Sequence, residues 1–246
     1  MTLPDTDIFD QTIISVDLGI NAAATVSVMR ADGTILGRHF CKLPKEYDSL
    51  THAVNRIKKA QQHGNRRMPR LWAKAKGINR DISVKTTQFI MDIAVLYNVD
   101  VIVFEHLDLS GKKRGSRKQR LHLWRSQYVQ AMVTDKAHRI GMRISHICAW
   151  GTSRLAYDRS GRILRGKEAE LPTYSLCRFQ NGKVYNCDLS ASYNIGSRYF
   201  IREILKSLPA KVRLELEANV PQVSKRSTCT WSTLINLNAE LISFAV

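Results

Sequence analysis

Residues 12–28 (TIISVDLGINAAATVSV) begin as an apolar, β-branched run, the signature of a buried strand, and the pattern breaks at Gly19 just after a single carboxylate, Asp17. Residues 22–29 and 34–42 read as two further strands, joined by RADGT, in which Asp32-Gly33 is a hairpin signal. Three antiparallel strands therefore open the fold. From 49 to about 80 the pattern becomes helical, and residues 82–97 (ISVKTTQFIMDIAVLY) carry apolar residues at a spacing suited to packing on a sheet. Residues 99–105 (VDVIVFE) form a second buried strand, which also ends in an acid, Glu105. A helix then runs to about residue 140 with Gly141 as its cap, and 143–149 reads as a strand. Residues 151–171 are polar and turn-rich, a loop or small inserted hairpin, and a short strand at 174–179 follows. Asp188 stands as an N-cap before a long helix with Tyr193, Ile195, Tyr199, Phe200, Ile204 and Leu205 on its apolar side. Two modest helical patterns, at 212–216 and 231–241, close the chain.

Composition sharpens this picture. A chain of 246 residues that is 44% apolar can build a large core. Its 38 Lys and Arg against 21 Asp and Glu give a formal charge of +17, which attracts a polyanion, nucleic acid first among them. No apolar run approaches the roughly 18 residues a membrane-spanning helix needs, and residues 1–11 are acidic with no signal-peptide pattern, so the expected location is cytoplasmic, intracellular and nucleoid-associated. Five cysteines at scattered positions (41, 148, 177, 187, 229) argue against a disulfide framework.

The positive charge is concentrated in two stretches. Arg56, Lys58, Lys59, Arg66, Arg67, Arg70, Lys74 and Lys76 lie in a span with no acid between Asp48 and Asp81. Residues 111–125 (GKKRGSRKQRLHLWR) add Lys112, Lys113, Arg114, Arg117, Lys118 and Arg120, with Trp124 near the end. Basic residues interleaved with an aromatic suit backbone contact and base stacking. A solvated helix face and a basic loop ahead of an amphipathic helix are the plain alternatives.

Asp17 among Ile14, Val16, Leu18 and Ile20 is costly to desolvate, or else it is a turn residue beside Gly19. Capping alone would explain Asp188. Taken together, three acids at the edges of apolar elements would repel one another, and a divalent cation such as Mg²⁺ is the usual remedy. The strings VDLGINAAATVSV, VIVFEHLDL and NCDLSASYNIG resemble the three RuvC motifs of the TnpB-type, transposon-encoded RNA-guided DNA endonucleases, relatives of type V CRISPR effectors. The basic span 49–80 and AWGTSR before residue 154 share the likeness, which covers about 12–206. The resemblance implies an α/β, RNase H-like fold, a mixed five-stranded sheet with helices on both faces. It implies Asp17, Glu105 and Asp188 as catalytic metal ligands, a two-metal Mg²⁺ or Mn²⁺ site, and DNA and a guide RNA as partners. In that frame residues 1–11 are a tail, 12–206 the nuclease domain with a basic helical insertion at 49–80 and a second insertion at 151–187, and 207–246 a helical tail.

Two departures qualify the likeness. The family's zinc ribbon needs two CxxC pairs, and this chain has Ala156 and Arg159 at the first and Arg178 and Asn181 at the second. No zinc is expected, a short hairpin should take the ribbon's place, and Cys148, Cys177 and Cys187 read as small core residues. The family also carries an N-terminal half before the first motif, so the chain reads as a truncated or split C-terminal half, with a separate N-terminal half as a possible partner. The rival readings are nucleic-acid binding without cleavage, as in a remnant or repressor-like protein, and a guide-independent RNase H or resolvase.

Overall fold

The structure is a computed structural model that describes residues 6–19, 22–65, 67–106 and 117–245. Its centre is a five-stranded sheet of order β3-β2-β1-β4-β5, built from β1 (Thr12–Asp17), β2 (Ala24–Arg30), β3 (Ile35–Cys41), β4 (Val101–Glu105) and β5 (Arg143–Ile147). β1, β2 and β3 are antiparallel, whereas β1, β4 and β5 run parallel, which makes the sheet mixed as the sequence led us to expect. The parallel strands are apolar on both sides because both sides are covered.

Along each strand alternate residues serve opposite cores. Ile14, Val16, Ile102 and Phe104 pack under α1 (Pro44–Gln62), α2 (Pro69–Leu96) and α3 (Arg117–Arg139). Ile13, Val101 and Val103 pack under α4 (Cys187–Ser207), α5 (Ala210–Asn219) and α6 (Trp231–Ala245). Each fully buried aliphatic or aromatic side chain contributes about 1.5–3 kcal/mol. The period of two that divides these residues also sends Asp17 and Glu105 to the same face, toward α4.

The helices depart from the sequence pattern in informative ways. α2 is one continuous helix: no Pro falls near residue 81 and the helix runs unbroken through Gly77, so the basic and the apolar patterns share a single rod. α1 starts at Pro44, and its Leu50, Ala53 and Ile57 enter the sheet's core. The last helices are likewise packed, with Leu216, Leu234 and Leu237 fully buried.

α4 approaches the sheet closely because its inner residues are small. Ser192 hydrogen-bonds Ser27 through their hydroxyls, and a Cβ added at Gly196 would come within 3.2 Å of both Met29 and Ser15. The segment between β5 and α4 folds as a three-stranded antiparallel sheet, β6 (Leu164–Arg165), β7 (Leu176–Arg178) and β8 (Val184–Asn186), where a hairpin was expected. Its own small core is Ala156, Ile163, Cys177, Phe179 and Cys187. Cys148 is exposed, against the expectation that it is a core residue, because it lies past the end of β5. Among the described residues, no helix is long and apolar enough to cross a membrane.

Candidate active site

The parallel register Val16↔Phe104 carries β1 and β4 to their C-terminal ends in step, so Asp17 and Glu105 end neighbouring strands side by side. Asp188 comes from the other layer, at the start of α4. It is not the N-cap the sequence indicated. Asn186 takes that role, its Oδ1 accepting from the backbone N–H of Asp188 at 3.0 Å and of Leu189 at 2.9 Å. Asn was an equally good cap two positions earlier, and with capping done the Asp188 carboxylate is released for other work.

The three acids sense one another. Burial, and then the charges of Glu105 and Asp188, hold the Asp17 carboxyl well above the ordinary range, while Arg165 pulls it down. Glu105 is raised by burial against a hydrogen bond from Thr152 and the charge of Arg198. Asp188 is raised by burial against Cys187 and Arg165. Each acid alone would settle by binding a proton. Carboxylate oxygens are the donors a hard divalent cation prefers, and a nearby cation would offset the acids' mutual repulsion.

Two orphaned polar atoms lie in this neighbourhood. Thr25, directly across from Asp17 on β2, has a buried Oγ1 with no hydrogen-bond partner, and so has the Nε of Arg165. Both fit a site whose occupants are an ion and an anionic group. Geometry sets a limit: among the described residues, no three His, Cys, Asp or Glu side chains stand close enough together to hold one ion. Asp17 and Glu105 end neighbouring strands, and Asp188 faces them from the opposing layer without completing a three-ligand set.

Several residues that build the site escaped sequence reasoning. Arg165 enters from β6, whose two-residue strand leaves no periodic signal, and its Nη2 donates to Ser153 O at 2.6 Å. The Thr152 hydroxyl is shared between the Glu105 carboxylate and the Ala149 carbonyl. That loop is fastened by α4. Asn194 Nδ2 donates to Thr152 O at 3.0 Å and Leu155 O at 2.9 Å. One turn on, the buried Arg198 guanidinium donates to the carbonyls of Cys148, Trp150, Ser227 and Cys229. A polar Asn and Arg inside an apolar helix pattern were the available signal, because buried polar groups must find partners.

The predicted nucleic-acid contacts divide by location. Arg56, Lys58 and Lys59 on α1, Lys74, Lys76 and Arg70 on α2, and Arg67 just before it are all exposed. α1 and α2 enclose a cleft of about 380 Å³ that Arg56 and Lys74 line. This surface lies on the sheet's other face, away from α4. Arg66, Lys112, Lys113 and Arg114 lie outside the described residues, and Arg117, Lys118, Arg120 and Trp124 sit on α3 with their side chains outside the description.

No protein-family model matches the sequence. A TnpB-like protein of Aquifex aeolicus (strain VF5) is 28% identical over 131 residues, which are 51% of this chain and 42% of that protein. Among solved structures, a Cas12f1-sgRNA-target DNA complex aligns over 79% of this chain and 51% of its own, with a TM-score of 0.54 at 14% identity. A CRISPR-Cas12f ternary complex has the same TM-score and identity over 79% of this chain and 40% of its own. The chain therefore spans about half or less of the proteins it matches. In sequence the chain is thus similar to a TnpB-like protein, and its α/β fold, a mixed five-stranded sheet with helices on both faces, is similar to that of the Cas12f chains.

Proposed function

We propose that this chain is the metal-dependent nuclease unit of a TnpB-like, RNA-guided DNA endonuclease, with Asp17, Glu105 and Asp188 as its catalytic ligands. The observation that carries the reading is the placing of the acids: Asp17 and Glu105 end neighbouring parallel strands, and Asp188 opens α4 close enough that its charge and that of Glu105 raise the half-buried Asp17. A site that holds three carboxylates against their own repulsion has a use for them as anions. A pair of Mg²⁺ or Mn²⁺ ions there would supply Lewis-acid activation of water and of the scissile phosphate.

The chain's own groups set the rest of the chemistry. Asp17 and Glu105 present oxygens from rigid strand ends, and Asp188 closes from α4. Thr152 holds the Glu105 carboxylate in one orientation, and Arg165, cationic with a free Nε, faces the phosphate as charge builds on it. The exposed cations of α1 and α2 hold nucleic acid on the opposite face. The similar Cas12f1 structure is a complex with sgRNA and target DNA, which supports DNA as substrate and a guide RNA as partner. We read the protein as intracellular, where those partners are.

The test is direct. Purified chain with Mg²⁺ or Mn²⁺ degrades single-stranded DNA, and Asp17→Ala abolishes the activity. Equal cleavage by both proteins sinks the assignment. RNA that co-purifies and is required for cleavage distinguishes the guided enzyme from a resolvase-like one. A second reading, binding without cleavage, has one observation in its favour: the described acids do not form a three-ligand set. It requires tight, steeply salt-dependent binding in the absence of metal-dependent turnover.

A further inference from the structure

On the α4 face of the sheet, far along α4 from Asp188, lies a cavity of about 220 Å³ between the C-terminal half of α4, α5 and the short turns before α6. At about 30 Å³ per water it has room for a phosphate group with part of its hydration. Arg202, Lys206, Arg213 and Arg226 line it. Only one carboxylate, Glu217, joins them, and it is 3.8 Å from Arg213. Arg202 and Lys206 share Glu203, at 2.5 and 3.2 Å. Among the described residues, the exposed Arg226 has no acidic partner within salt-bridge distance.

This cavity connects to the carboxylate edge. Arg198, which contributes to its wall, donates at 2.8 Å to the carbonyl of Trp150, two residues before the Thr152 that contacts Glu105. Trp150 itself is 67% exposed, on a loop that Arg198 and Asn194 hold rigid. An exposed indole whose backbone is tied to Arg198 on the cavity wall, two residues from the Thr152 that contacts Glu105, is costly as surface and useful as a platform. From Asp188 to Arg202 the helix rises about 21 Å at ~1.5 Å per residue, or about six phosphates at the ~3.4 Å per-strand spacing of a duplex.

We propose that Trp150 and the Arg213–Arg226 cavity form an exit track for a single polynucleotide strand, with a base stacked on the indole and a backbone phosphate seated in the cavity. The track rests on the nuclease reading for its direction, from the carboxylates outward. The ligand's chemistry, a phosphate joined to stackable bases, does not depend on cleavage. Base stacking on an aromatic contributes about 1–3 kcal/mol and tolerates any sequence.

The test uses the full chain and a fluorescent single-stranded oligonucleotide without metal, so that binding is read apart from cleavage. Arg213→Gln/Arg226→Gln should weaken binding about tenfold near physiological salt and flatten the slope of log K against log salt by about 0.7, the value for one single-strand phosphate contact. Trp150→Ala should weaken binding about fivefold and leave the slope unchanged, which separates stacking from charge. All three positions are exposed at the side chain, and unchanged melting temperatures would confirm folding. Wild-type binding that both variants retain overturns the track and leaves the nuclease reading standing. Inorganic phosphate that protects the cavity while the strand does not compete with it overturns the strand as the ligand. A nuclease reading that fails shows itself separately, as metal-dependent cleavage indifferent to Asp17→Ala.

Discussion

The carboxylate edge and the small sheet beside it solve opposite problems within a few residues of each other. At the edge, the half-buried Asp17, Glu105 and Asp188 have raised proton affinity, and Thr25 and Arg165 keep polar atoms unpaired. The core of the β6–β8 sheet, by contrast, is close-packed and largely aromatic. Phe179 is fully buried, and Tyr157 makes edge contacts with Phe179, Tyr185, Tyr193 and Trp231 at centroid separations of 5.1–5.7 Å. Lys183 lies 4.9 Å from the centre of the Tyr157 ring. Aromatic pairs of this kind contribute about 0.5–1.5 kcal/mol beyond their burial. The contrast teaches that the inserted sheet, with rings packed through it, is a support that carries Arg165 to the acids.

The comparison is broken most severely at the acids. Glu105→Gln and Asp188→Asn keep size and hydrogen bonding but remove the anion, and each should lower metal-dependent cleavage by at least about 10³-fold, on the scale of a lost transition-state charge interaction. Activity within tenfold of wild type for either one would remove that residue from the site. The supporting sheet breaks next. Phe179→Ala should cost about 3–5 kcal/mol, read by chemical denaturation, whereas a strong zinc chelator should leave the wild-type transition unmoved. Chelator sensitivity would mean that thiolates, not rings, hold the insertion. The smallest effect joins the two regions. Arg165 lowers the proton affinity of both Asp17 and Asp188, so Arg165→Gln should move the acidic limb of the pH–rate profile to higher pH. No displacement of that limb would uncouple the insertion from the acids.

Much of the fold was legible because its signals are periodic. Continuous apolar runs in β1 and β4 and the Asp32-Gly33 turn marked the strands and their hairpin, and Asp17 and Glu105 stood out as charges at the ends of those runs. What stayed hidden has a physical cause in each case. β6 has two residues and β8 three, too short for a period to show. Asn186 and Asp188 are both good caps, and only the backbone geometry decides between them. Arg165 and Thr152 reach the acids through tertiary folding of an irregular segment, which no local pattern encodes. Asn194 and Arg198 were visible only as polar residues in an apolar helix, and their carbonyl partners are 29–50 residues away in sequence.

The central claim is that the acids are held at a cost to the fold so that a cation can use them. Because the Asp17 carboxyl is raised above its ordinary value, the folded chain binds a proton there more tightly than the unfolded chain. Its contribution to stability is present below the unfolded pKa and is lost as pH rises through the folded one. The most direct measurement is the melting temperature of wild type and Asp17→Asn at neutral pH, with and without Mg²⁺. Without metal the variant should melt higher, at about 2–4 °C for each kcal/mol of repulsion removed, and the gap should close toward pH 4. With Mg²⁺ the wild type should gain stability and the variant should not, narrowing or reversing the order. A variant no more stable than wild type in the absence of metal, together with equal responses to Mg²⁺, would contradict the account.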